Sequence, residues 1–220
     1  MSARGDLEDE TARTSVRDRS VGWGRFDVGG SSYENIVAWC GILSVVVALG
    51  AIFGASVLSA DFTWSHHALS DLGAPGAPTA PVFNYGLILA GLFGFGFAGG
   101  LVLSSTHLLE RIGAMTLVGS LVFLILVGVF PIGHRYHLVV AVLFYVLFTY
   151  AMWLYGTGHV LLGRTVFGIG TVWIGIVHVT FWLLWGVGVR IGPGLAIPEL
   201  VGAGLFSAWV CYVALEILTR

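Results

Sequence analysis

Residues 112–130 read Ile112-Gly-Ala-Met-Thr-Leu-Val-Gly-Ser-Leu-Val-Phe-Leu-Ile-Leu-Val-Gly-Val-Phe130, without one charged side chain. About 20 helical residues cross the ~30 Å hydrocarbon core of a bilayer. In lipid every backbone N–H and C=O must be satisfied within the chain, so so apolar a run can cross only as a helix. Five further stretches read the same way: Ile36–Leu58, Val82–Leu103, His137–Tyr155, Thr165–Val187 and Leu195–Leu218. The expected fold is therefore an all-α, integral membrane bundle of six transmembrane helices over 32–220.

Composition agrees. Of 220 residues, 57% are hydrophobic and 10% charged, against about 25% charged in soluble domains; the mean hydropathy is +0.91. A net charge of −2 argues against nucleic-acid binding, which needs a basic stripe. Cys40 and Cys211 lie within apolar stretches and read as small buried hydrophobes. The first 35 residues carry five Arg and seven acidic residues. They lack the apolar core of a cleaved signal peptide, so the first span reads as a retained signal anchor. Residues 1–31 read as a disordered polar tail.

Arginine is retained on the cytoplasmic side. Eight of the ten basic residues (Arg4, Arg13, Arg17, Arg19, Arg25, Arg111, Arg164 and Arg220) fall on the side of the termini, against Arg135 and Arg190 on the other. Both termini are thus expected in the cytoplasm of a cell-membrane protein, with the long first loop outside. Trp64, Trp182 and Trp185 suit an outer aromatic belt, and Trp23 and Trp39 an inner one. Gly50-x-x-x-Gly54 and Gly96-x-x-x-Gly100 let helices approach closely, either within the bundle or at a dimer seam; the oligomeric state stays open.

The polar residues near the membrane concentrate at the outer end. The first loop, Ser59–Pro81, supplies Asp61, His66, His67, Ser70 and Asp71, and the third supplies His134, Arg135 and His137. His178 lies 14 residues beyond Arg164, roughly 20 Å up its helix, and Glu199 one turn into the last span. Ionisable groups in the hydrocarbon cost a few kcal/mol, so Glu199 is expected to pair with Arg190 or His178, as a structural clamp or as a substrate or proton site. In Ser70-Asp71-Leu72-Gly73, Ser70 or Asp71 is expected to cap a short helix and Gly73 to permit positive φ. A nucleophilic Ser70 would need His66 or His67 as base. The histidines and Asp71 are also the donor types zinc takes, with His67, His134 and His137 the candidate ligands, although His134-x-x-His137 at a helix entrance is not a metalloprotease motif.

Ser70-Asp71-Leu72-Gly73, then Phe83-Asn84, then Phe130-Pro131 with His137 six residues on, resemble the prokaryotic membrane family called domain of unknown function 998, over about Ile36 to Leu218. Members tend to carry an acidic residue two places after that proline; here it is Gly133, followed by His134. The Ser-Asp-x-Gly loop is more distantly similar to that of the Frag1/DRAM/Sfk1 six-span proteins, which implies a lipid-facing role by analogy. The resemblance brings no established reaction.

The leading expectation is a multi-pass protein that binds, senses or handles membrane lipid or an envelope component at its outer face. His67, Ser70, Asp71, Asn84, His137, His178 and Glu199 would form its polar site, with Asp71 ordering the first loop and orienting a histidine. The alternatives are a zinc-dependent hydrolase of lipid amides or esters with Asp71 or Glu199 as base, a small transporter with a His178–Glu199 proton relay, and a non-catalytic scaffold subunit.

Overall fold

The computed structural model describes residues 31–219; the expected tail lies almost wholly outside them. Six helices follow in order: α1 Ser31–Leu58, α2 Ala80–Ser104, α3 Leu108–Val129, α4 His137–Leu161, α5 Thr165–Gly186 and α6 Ala196–Leu218. All six are long and apolar enough to cross a membrane, and no strand occurs among the described residues. The protein is a multi-pass membrane bundle.

Each helix packs against its neighbours in sequence, α6 closes back on α1, and the α5–α6 contact is the loosest of these. The core is filled by Phe97, Leu117, Leu121, Phe148, Met152, Tyr155, Val210 and Val213, all nearly inaccessible. Small residues set the helix spacing. A Cβ on Gly113 would lie 2.4 Å from the Tyr155 backbone nitrogen, and one on Gly158 would lie 2.5 Å from that of Glu110. Helices α3 and α4 therefore touch backbone to backbone at two reciprocal points. The two Gly-x-x-x-Gly patterns part company. Gly96 and Gly100 face Cys40 and Val37 of α1, whereas Gly50 and Gly54 have nothing within 4 Å. Cys40 and Cys211 are free thiols, partly buried among apolar side chains.

The boundary that differs most from the sequence reading is the end of α4. The expected link from Gly156 to Arg164 is mostly helix, because α4 runs on to Leu161. Gly156 does not break it; that glycine lets α4 meet α5, where a Cβ would stand 2.6 Å from the Gly168 carbonyl. The turn itself is made at Gly163, with φ of 83°.

The first loop is ordered. A 3₁₀ turn, Leu69–Gly73, is packed into the end of the bundle with Leu69, Ser70, Leu72 and Gly73 buried. Pro81 lies in the first turn of α2, where its missing N–H costs nothing. The α5–α6 loop is stapled to the first loop by two backbone bonds, Gly194 N–H to Ser65 C=O (2.9 Å) and Ala196 N–H to His67 C=O (2.8 Å). The Trp185 indole N–H donates to the Gly194 carbonyl at 2.9 Å. This end of the bundle is hereafter the cap end.

Candidate functional site

Two carboxylates hold the cap turn. Asp71 Oδ2 accepts the Ala68 N–H at 2.8 Å, and Glu199 Oε2 accepts the next amide, that of Leu69, from 130 residues further along the chain. Glu199 pairs with neither Arg190 nor His178; among the described residues the side-chain ion pairs are His159–Glu110 and Arg164–Glu216. The expected clamp to Arg190 or His178 does not form; Glu199 instead ties the last helix to the first loop, through a backbone amide. Arg190 instead lies over the Trp185 ring, 5.2 Å from its centroid.

The remaining cap bonds fall on the motif residues. Asn84 Nδ2 donates to the Gly73 carbonyl at 2.9 Å, and the Thr79 hydroxyl donates to Leu72 C=O at 2.7 Å. Gly73 does not adopt positive φ, which among the described residues is found at Gly76, Gly133, Gly163, Gly188 and Gly192. Gly73 is required for space: a Cβ there would fall 2.2 Å from Asn84 Oδ1. His137 Nδ1 lies 2.8 Å from the Phe130 carbonyl. That oxygen can only accept, so Nδ1 carries a proton.

His178 is buried at 1% exposure in a chain of bonds that fixes its tautomer. The Trp182 indole N–H donates to His178 Nε2 at 3.1 Å, so the proton is on Nδ1, which donates to Thr149 Oγ1 at 2.9 Å. The Thr149 hydroxyl donates onward to the Tyr145 carbonyl at 3.0 Å. Both imidazole nitrogens are engaged, and none of these bonds leads to Glu199. The ring sits against α6 because Gly202 has no side chain: a Cβ there would be 2.9 Å from His178 Nε2 and 3.1 Å from the Tyr145 ring.

A groove of about 690 Å³ runs beside these residues between α4 and α5, under the cap. Ser70, His137, His178 and Glu199 line it; His67, Asp71 and Asn84 do not. Its rim on α4 is Leu138, Val142, Val146 and Tyr150, spaced four residues apart on one helical face and 41–72% exposed. That face opens sideways, toward the lipid that surrounds such a bundle. From His137 to Trp153 the groove follows α4 for roughly 24 Å. A smaller internal cavity of about 80 Å³ shares Ser70, His137, Tyr145 and Glu199 as a common wall.

The proposed nucleophile and ligand sets do not assemble. His66 Nδ1 is 2.8 Å from Ser65 Oγ. His67 Nδ1 accepts the Thr63 N–H at 3.1 Å, so neither imidazole is bonded to Ser70. The His134 ring stacks on Phe130 at 4.7 Å. Among the described residues, no three His, Cys, Asp or Glu side chains converge as a metal site.

Sequence reasoning missed Tyr145, Thr149 and Trp182. The spacing held a signal: Trp182 is four residues after His178 and Thr149 four after Tyr145, the spacing of facing side chains on a helix. It also missed a second buried polar pair at the opposite end. Glu110 and His159 are 3% and 2% exposed, with 3.5 Å between Glu110 Oε1 and His159 Nε2. Glu110 also caps α3, accepting the Thr106 N–H at 2.9 Å.

No curated protein and no solved structure matches the chain. The model of one family, described as "Protein of unknown function (DUF998)", matches residues 42–216. That match spans most of the chain and five of the six helices almost in full, so the protein belongs to the DUF998 family.

Proposed function

We propose that the protein binds a membrane amphiphile in the α4–α5 groove, its alkyl chain lying along the exposed apolar face of α4 and its headgroup beneath the cap beside Ser70, His137 and Glu199. The observation that carries this reading is the lateral opening of a groove that is apolar at its rim and polar at one end. Binding sites are concave and mostly apolar with a few placed polar groups, and this one is reached from the bilayer. With the termini cytoplasmic, as the arginine distribution indicates, the headgroup end lies in the outer leaflet. The bonding of His178 supports a positioning role for it beside the groove, ahead of a role in a proton relay.

The test is lipid retained by detergent-purified protein, read by native mass spectrometry. Val142→Trp and Val146→Trp each place an indole in the groove from positions that are already lipid-exposed. Stoichiometric lipid on the wild type, lost in both variants while their thermal stability is kept, is the expected result. Equal lipid retention in all three proteins would refute the reading.

A further inference from the structure

We propose that the headgroup taken by this groove is a substituted ammonium, seated against the Glu199 carboxylate and the rings of Tyr145 and Trp182. The proposal rests on the groove reading above and specifies its ligand. Its first basis is charge. Glu199 is the one acidic residue lining the groove, and no arginine lines it. Both arginines of the cap end are placed on aromatic rings elsewhere, Arg135 over Tyr136 at 4.4 Å and Arg190 over Trp185 at 5.2 Å. The Asp71 carboxylate is held next door, because the two acids accept the adjacent amides of Ala68 and Leu69. Two carboxylates with no arginine beside them favour a cationic guest over a phosphate or carboxylate headgroup.

The second basis is the aromatic lining. The Tyr145 and Trp182 rings stand 5.2 Å apart, tilted by 55°, and Tyr150 and Trp153 line the same groove. Aromatic faces attract a cation through the ring quadrupole, and cages of this kind recognise alkylated ammonium groups. A hydroxyl-rich headgroup would need several unengaged hydrogen-bonding partners. Here His178, Thr149 and Trp182 bond one another, and Glu199 Oε2 is committed to Leu69. An alkylated ammonium asks instead for charge and ring faces, which the groove offers at Glu199, Tyr145 and Trp182.

The test is calorimetric titration of the full chain in dodecyl maltoside micelles, corrected for protein-free micelles. The probes are decyltrimethylammonium, decanol and decyl phosphate, with tetramethylammonium to separate a free organic cation from an amphiphile. Decyltrimethylammonium should bind saturably and about tenfold or more tighter than the other three, as expected for a desolvated charge contact. Glu199→Gln, whose amide oxygen can still accept the Leu69 N–H, should bring its affinity down to that of decanol. Tyr145→Leu tests the ring contribution independently of the cap, and should reduce the preference severalfold. If decanol or decyl phosphate binds saturably and as tightly, or both variants keep the preference, the headgroup assignment is overturned while the groove reading stands. Tetramethylammonium binding as tightly as its decyl homologue would overturn the amphiphile. Saturable binding of none of the four would remove the groove reading together with this proposal.

Discussion

Replacing Glu199 by alanine should loosen the cap without unmaking the bundle. Leu69 is 4% exposed, and its amide is bonded to Glu199 Oε2. Alanine leaves that N–H buried with no acceptor, at a cost of about 1–3 kcal/mol. A net loss of about 2 kcal/mol corresponds to roughly 4–8 °C in Tm for a chain of this size. Glutamine keeps an acceptor of the same reach but neutral, so its loss should be about 1 kcal/mol, or roughly 2–4 °C. Aspartate, one methylene short, should behave like alanine. Thermal unfolding in micelles gives the order wild type, Gln, then Asp and Ala together. Amide hydrogen exchange over residues 66–73 should accelerate in the same order. If alanine melts within about a degree of wild type and the 66–73 amides stay equally protected, the cap is not held by Glu199 and the reasoning fails.

Three more outcomes follow from the same geometry. Gly158→Ala should destabilise by about 1–3 kcal/mol through overpacking, since its Cβ would lie 2.5 Å from the Glu110 nitrogen. Gly50→Ala, with open space around it, should stay within about 0.5 kcal/mol of wild type; equal melting shifts for the two would contradict the packing described. Thr149→Val should strand the Nδ1–H of buried His178 at about 1–3 kcal/mol, whereas Thr149→Ser should be nearly silent; thermal melts of the pair decide it. Asp71→Ala should raise protease cleavage within residues 59–79 by freeing the Ala68 amide, while Asp71→Asn should retain most of the protection; cleavage unchanged in Asp71→Ala would refute the role given to that carboxylate.

The six spans were legible because lipid imposes one rule on every backbone amide, and runs such as 112–130 leave no alternative to a helix. The end of α4 was not: the expected span stopped at Tyr155, while Gly156 and Gly158 continue the helix and serve as contact surfaces. The order of the motifs pointed to the cap, and Asp71 and Asn84 do hold it. The partner of Glu199 was beyond reach, since a backbone amide leaves no mark in the sequence. The groove was invisible for a similar reason. The lipid-facing stripe Leu138, Val142, Val146 and Tyr150 has the same composition and spacing as a stripe packed in a core, and only the placement of α5 tells them apart.

The cap also has a consequence for biosynthesis. Leu69 and the carboxylate that receives its amide are separated by 130 residues, and the loop that staples the first loop arrives just before Glu199. At a synthesis rate of roughly 5–20 residues per second, the cap turn emerges on the order of ten seconds before its acceptor exists. During that interval the Leu69 N–H has no Glu199 to accept it, and the α5–α6 hairpin brings the acceptor. Arrival of α6 is thus the event that completes the cap, and a ribosome stalled before residue 199 would leave the Leu69 amide without its acceptor.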